Sequence, residues 1–188
     1  MGLFSKNKGK TLTLNLNAKF QPVDRFDLED ALDELLKKAG KGEVTGGGTT
    51  QEASGEIKNC DIEIWLKDAS RENVAWLIKL INAMGVPKGS SLTGDGVSAA
   101  VGKQEGLACY LNGRDLPMEV YKSGDINKVI EKLEKAMEGI GMMYSYWEGP
   151  KYTALYFYGT SYTLMKRSIE PILARDPMCQ KCIIKQIA

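Results

Sequence analysis

Alternating hydrophobic and polar positions mark the start of the folded chain. Three leucines alternate with polar residues over 11–18, a pattern that predicts a half-buried strand. Apolar residues then recur at helical spacing over 28–39. Asp27 is the expected N-cap of this helix, and Gly40 is expected to end it. The first two predicted elements are therefore a strand and an amphipathic helix.

A long hairpin over 42–66 and a second helix are predicted next. The second strand of the hairpin has an inward set and an outward set: Ile62, Ile64 and Leu66 against Asp61, Glu63 and Trp65. Ser70 is the expected cap of the helix, which Gly85 ends. A short strand is expected near 90–93.

The C-terminal half repeats this order of elements. Leucines and a cysteine alternate over 107–111 as a strand, and Asp125 is expected to cap a helix. Two strands over 142–158 flank a turn, a helix begins at about Ser161, and a closing strand follows over 182–187. The shared order indicates a duplicated β-α-β-β-α-β unit.

This order resembles the ferredoxin-like, or α/β-plait, fold, in which two helices cover one face of an antiparallel sheet. We therefore predict an α+β protein with two such halves in tandem. The predicted boundaries are a disordered tail over 1–10, a first half over 11–93, a linker over 94–106 and a second half over 107–188. Two halves of this kind can join edge to edge into one sheet or pack face to face.

The open sheet face of the second half is the main candidate binding surface. Strand alternation places Leu155 and Phe157 on the core side, so Tyr156 and Tyr158 point to the open face. Aromatic residues on a sheet can stack bases, bind a small ring or form a protein interface; alternatively, the linker or the other half covers them. The candidate residues are Trp147, Tyr152, Tyr156 and Tyr158, together with Trp65 on the open face of the first half.

Three consecutive glycines form a second candidate site. The backbone amides of Gly46, Gly47 and Gly48 could hold an anion. A bulged or mobile hairpin strand is the structural alternative.

Composition narrows the classes of function. The 25 basic and 24 acidic residues give a net charge of +1, which does not favour a dedicated nucleic-acid binder. The absence of histidine excludes Ser-His and Cys-His pairs and every metal site that uses histidine. With no signal core and no membrane-length apolar run, we expect a cytoplasmic protein without membrane association.

The four cysteines are Cys60, Cys109, Cys179 and Cys182. Disulfides are not expected in the cytoplasm. Cys179 and Cys182 form a CxxC that leads into a strand, whereas a redox CxxC normally opens a helix. A zinc site would need two more ligands from other segments. We therefore expect structural thiols, and no metal or other cofactor.

The predicted function is a non-catalytic protein-binding module. The chain resembles uncharacterised bacterial α/β-plait proteins and toxin-neutralising immunity proteins in element order, a resemblance that implies an unidentified protein partner. A small-molecule sensor with a ligand between the halves is the main alternative. RNA binding is less favoured, because 151–157 lacks the glycine-aromatic-glycine core of an RNA-recognition motif. No constellation of residues supports an enzyme.

Overall fold

The computed structural model describes residues 9–188. The strands are β1 (Lys10–Leu16), β2 (Gly42–Gln51), β3 (Ile57–Leu66), β4 (Ser90–Gly94), β5 (Val97–Val101), β6 (Glu105–Asn112), β7 (Gly141–Glu148), β8 (Tyr152–Gly159) and β9 (Ile183–Gln186). The helices are α1 (Pro22–Lys38), α2 (Arg71–Ala83), α3 (Met118–Ser123), α4 (Ile126–Ala136) and α5 (Tyr162–Arg175). No helix within residues 9–188 is long and apolar enough to cross a membrane.

The strands form two antiparallel sheets with matching topology. The first sheet has the order β2-β3-β1-β4-β5, and the second has the order β7-β8-β6-β9. In the first sheet β3 lies between β1 and β2, and in the second sheet β8 lies in the equivalent position between β6 and β7. The additional strand β5 has no counterpart in the second sheet. The prediction of two tandem β-α-β-β-α-β halves in an α+β fold is therefore confirmed.

Each half buries one sheet face under its helices. In the first half, Leu32 of α1 and Leu77 of α2 pack with the inward residues of β1 and β3, such as Leu14 and Ile62. In the second half, α4 and α5 cover the inward residues of β6 and β8. In a helix, apolar residues that recur with the 3.6-residue period lie on one face. Burial of that face removes it from water and therefore stabilises the helical conformation of these segments.

The starts of α2, α4 and α5 agree with the sequence, the start of α1 does not, and α3 was not predicted. The side chains of Ser70, Asp125 and Ser161 accept hydrogen bonds from backbone N–H groups in the first turns of α2, α4 and α5. The expected cap Asp27 is wrong, because α1 begins at Pro22. Proline suits the first helical position, since its N–H would have no intrahelical acceptor there.

The predicted linker over 94–106 forms strands. Asp95 and Gly96 make a two-residue turn with φ of 49° and 81°, and β5 then returns along β4 as a fifth strand. Strand β6 already begins at Glu105. In the predicted tail over 1–10, Lys10 belongs to β1, and residues 1–8 lie outside the described residues.

The halves pack neither edge to edge nor sheet face to sheet face. The open face of the second sheet covers the end of the first half where β1 leads into α1 and where β2 turns into β3. Ala18, Phe20 and Ile57 from that end share one hydrophobic cluster with Tyr156 and Tyr158 of β8. We call this contact the seam.

Candidate functional site: the seam and the cleft beside it

The aromatic residues proposed as an exposed surface lie at the seam. Tyr156 and Tyr158 point away from α4 and α5, as alternation predicts, but they are fully buried against the first half. Trp147 and Tyr152 are half-buried at the same contact. The expectation of a solvent-exposed aromatic face is therefore corrected: the other half of the chain covers it, which removes the cost of leaving so much apolar area in water.

One carboxylate organises the polar centre of the seam. Glu56, in the β2–β3 turn, accepts hydrogen bonds from Tyr110 Oη at 2.7 Å and Tyr156 Oη at 2.9 Å. Lys19 Nζ lies 2.8 Å from the same carboxylate oxygen and donates to the Ile57 carbonyl at 2.7 Å. Each of these polar groups is thus satisfied while it is largely removed from water.

Electrostatics in this network keep Glu56 ionised. Burial on its own would raise the pKa of Glu56, but hydrogen bonds from Lys19, Tyr110 and Tyr156 and the charge of Lys19 outweigh it and lower the pKa. The pKa values of Tyr110 and Tyr156 are raised by burial and by their hydrogen bonds to Glu56. The tyrosines therefore remain neutral donors, and the network binds the halves together rather than activating a nucleophile.

Further hydrogen bonds join the β1–α1 loop to the second sheet. Tyr158 Oη accepts from the Lys19 N–H at 2.8 Å, and Ser145 Oγ donates to the Lys19 carbonyl. Gln21 Nε2 donates to the Tyr146 carbonyl at 2.7 Å. The loop that precedes α1 is consequently fixed to both β7 and β8.

A cleft opens directly beside the seam. One wall is a stripe of α1 that contains Leu28, Ala31 and Leu35. The opposite wall is formed by residues 84–86, after α2, and by 142–144 of β7. Both halves of the chain therefore contribute to its walls.

The cleft has the size and lining of a small-molecule site. Its volume is about 550 Å³, within the usual range for ligand pockets. Phe20 and Tyr144 both line it, and their rings stack with centroids 5.5 Å apart. Met84, Met142 and Met143 add flexible apolar side chains, which adapt readily to the shape of a bound molecule.

Two carboxylates supply the charge of the cleft. Within residues 9–188, the lining contains Asp24 and Asp27 and no basic side chain. Burial raises the pKa of Asp24; the hydrogen bond from the Gln21 N–H, 3.1 Å long, opposes this rise, and the charge of Asp27 adds to it. The cleft thus combines an apolar interior with unneutralised negative charge.

The sequence predicted a ligand between the halves as an alternative, but it did not identify the residues that line this cleft. Helix α1 carries one broad apolar face, on which Leu32 and Leu36 are fully buried and Leu35 is exposed. The sequence pattern alone does not show which edge of that face lines a cleft.

The triple glycine has a packing role at its centre. Gly47 lies beneath the ion pair of Arg25 and Glu29 on α1, and a Cβ at this position would collide with both side chains. Gly48 has open space above it. The ion pair therefore explains why residue 47 is a glycine, whereas anion binding by Gly46, Gly47 and Gly48 stays a prediction.

The remaining sequence candidates lie elsewhere. Trp65 is half-buried on the outer face of the first sheet, where Gly9 packs against its indole ring. All four cysteines are free thiols. Throughout the described range, no group of three or more His, Cys, Asp or Glu side chains is arranged to hold a metal ion.

Comparisons with known proteins add no function. No protein-family model matches the chain, and no curated protein matches it either. Solved structures match over nearly the whole chain. An unknown protein from Galdieria sulphuraria matches with 10% identity, over 95% of this chain and 96% of that chain, with a TM-score of 0.28. The first two RRM domains of yeast poly(U) binding protein match with 12% identity, over 95% of this chain and 99% of that chain, with a TM-score of 0.25. A heme-binding protein from Thermus thermophilus matches with 12% identity, 95% and 88% coverage and a TM-score of 0.27. Similarities at these TM-scores carry no functional argument.

Proposed function

We propose that this protein binds a small organic cation with an apolar body in the cleft between its halves. The observation that carries the proposal is the lining: an apolar cleft of about 550 Å³ whose charged side chains are the carboxylates Asp24 and Asp27. An apolar ligand body would leave water on binding, and an ammonium group would pair with the carboxylates. This corresponds to the small-molecule alternative predicted from the sequence.

The rise in the pKa of Asp24 supports a cationic ligand over a neutral or anionic one. Burial and the neighbouring Asp27 outweigh the hydrogen bond from Gln21, raise the pKa of Asp24 and so make its charged form less favourable than in water. A ligand cation would relieve that cost, whereas a ligand carboxylate would increase it. Charge selectivity is therefore the property that distinguishes this proposal from nonspecific hydrophobic binding.

The direct test compares octylammonium, octanol and octanoate in thermal-shift and titration calorimetry experiments. A ligand that binds only the folded state raises the melting temperature. We expect octylammonium to raise it most, octanol less, and octanoate least. Equal effects of the three probes, or a larger effect of octanoate, would refute the proposal.

Variants locate the binding within the cleft. Ala31 lies on the exposed side of α1 and lines the cleft, so Ala31→Trp should fill the cleft and abolish octylammonium binding without disturbing the core. Ala75→Trp, at an exposed position of α2 outside the lining, is the matched control. Asp24→Asn should weaken binding about tenfold, or about 1.4 kcal/mol. Asp30→Asn on the same helix should leave it unchanged, because Asp30 is not in the lining.

The protein-binding module, including the toxin-neutralising type, stays a prediction. Affinity capture of the tagged protein from its host, read by mass spectrometry, tests it through the recovery of a stoichiometric protein partner. RNA stacking on Tyr156 and Tyr158 would require the halves to separate, since both rings are buried at the seam. A salt-dependent shift with RNA would be the evidence for that opening.

A further inference from the structure

The aromatic rings and the carboxylates of the cleft lie close together. Tyr144 of β7 stacks on Phe20 with ring centroids 5.5 Å apart and an angle of 22° between the ring planes. Gln21 follows Phe20 in the chain, and its N–H donates to the Asp24 carboxylate at 3.1 Å. Asp27 lies three residues further along α1 and is near enough for its charge to act on Asp24. We call the four lining residues of this group the head site: Phe20, Asp24, Asp27 and Tyr144.

Packing fixes the Tyr144 ring while leaving part of it accessible. Phe20 is buried, and both Phe20 and Tyr144 meet the ring of Tyr158 edge-on, with centroids 5.5 Å and 5.7 Å away. Tyr144 itself is only half-buried and lines the cleft. An aromatic face attracts a cation that lies within about 6 Å of the ring centre, most strongly where water is excluded. The head site therefore offers a cation a firmly held ring beside the two carboxylates.

The rest of the cleft is apolar and follows α1. Leu28, Ala31 and Leu35 line it along the helix, which rises about 12 Å between Asp27 and Leu35. Methionine side chains of the opposite wall can adapt to the contour of an alkyl chain. A ligand whose charge lies in the head site can therefore extend its apolar body over the α1 stripe.

We infer that the cation recognised by the head site is a quaternary ammonium group. This inference rests on the proposed function and specifies the chemical class of the ligand's charged group. A primary ammonium has three N–H donors, each of which needs an acceptor once it leaves water. A quaternary ammonium has none, so its methyl groups can lie against the Tyr144 ring and the methionines without losing hydrogen bonds. Asp24 and Asp27 then balance its charge.

The test compares octyltrimethylammonium with octylammonium by titration calorimetry on the full chain. We expect the quaternary probe to bind about tenfold more tightly, because its methyl groups contact the ring and leave water. The proton resonance of those methyl groups should also move upfield on binding, since they would lie in the ring current of Tyr144. Equal affinities, or tighter binding of octylammonium, would overturn the inference and leave the proposed function standing. If neither probe binds more tightly than octanol, the proposed function fails and the inference fails with it.

Variants of Tyr144 separate the effect of the aromatic face from that of general burial. Tyr144→Leu keeps an apolar side chain but removes the ring, so it should reduce the preference for octyltrimethylammonium to less than about threefold. Tyr144→Phe keeps the ring and should retain the preference. Tyr146→Leu is the matched control, because Tyr146 lies on the same strand but is exposed and outside the lining. A preference that persists in Tyr144→Leu would overturn the inference.

The ratio of the two dissociation constants is the quantity to compare between variants. Tyr144 also packs at the seam, so Tyr144→Leu can lower the melting temperature of the free protein. A loss of stability affects both probes alike and cancels in the ratio. Ala31→Trp should abolish the binding of both probes, and quaternary binding that survives this substitution would place the probe outside the cleft and overturn the inference.

Discussion

Removal of the Glu56 carboxylate tests the account of the seam most directly. Glu56→Ala leaves the Lys19 ammonium and the hydroxyls of Tyr110 and Tyr156 without their shared acceptor. Loss of one partner of a buried ion pair costs about 3–5 kcal/mol, and a buried hydroxyl without a partner costs about 1–3 kcal/mol. The Lys19 side chain is 18% exposed, so water can partly solvate its ammonium group. We therefore expect Glu56→Ala to lower the free energy of unfolding by about 3 kcal/mol, at the lower end of this range.

The effect should depend on pH. The folded-state pKa of Glu56 lies below its ordinary value of 4.5, so its contribution to the free energy of unfolding is present above that value. It is lost as the pH falls through the folded-state pKa. The difference between the wild type and Glu56→Ala should therefore shrink in acid, while the titration of the other carboxylates largely cancels between the two proteins.

Urea unfolding at neutral and acidic pH measures both quantities. Glu52→Ala, at an exposed position of the same hairpin, is the control and should change the free energy of unfolding by less than about 0.5 kcal/mol. The reasoning is refuted if Glu56→Ala matches this control at neutral pH. It is also refuted if the loss stays constant as the pH falls.

Three further substitutions and one control test local features by urea unfolding. Tyr158→Phe removes the acceptor of the Lys19 N–H and should cost about 1–2 kcal/mol; an unchanged midpoint would mean that water replaces the hydroxyl. Gly47→Ala should lower the free energy of unfolding by about 1–3 kcal/mol because the new Cβ meets Arg25 and Glu29. Gly48→Ala is the control and should lower it by less than about 1 kcal/mol, because a Cβ at residue 48 has open space around it. Equal losses in the two variants would contradict the packing role of Gly47. Gly96→Ala should cost about 1 kcal/mol through its φ of 81° alone, since its Cβ would meet nothing, and a neutral effect would contradict the turn assignment.

Periodicity predicted most of the fold because each helix and strand buries one face in its own half. It failed where the chain departs from regular spacing. In the β7–β8 hairpin, Trp147 lies opposite Ala154 and Ser145 opposite Tyr156, and a bulge between Met143 and Ser145 then places Met143 opposite Phe157. The Asp95-Gly96 pair was the available signal for the β4–β5 hairpin that the linker prediction missed.

The candidate site was less predictable than the fold. Alternation correctly placed Tyr156 and Tyr158 on the face away from the helices, but it carries no information on what covers that face. The cover comes from Phe20, in the β1–α1 loop, and from Ile57, at the start of β3, both far earlier in the chain. The cleft follows from the same long-range contact, so no local pattern could define both of its walls.

The seam also bears on the order in which the chain becomes a folded protein. During synthesis the first half emerges before the second, and its end at Phe20 and Glu56 can already be formed when β8 appears. The tyrosines of β8 can then pack directly against the folded first half. The half that contributes the aromatic sheet face is thus made second, which shortens the time before the first half covers that face and during which it can associate with other chains.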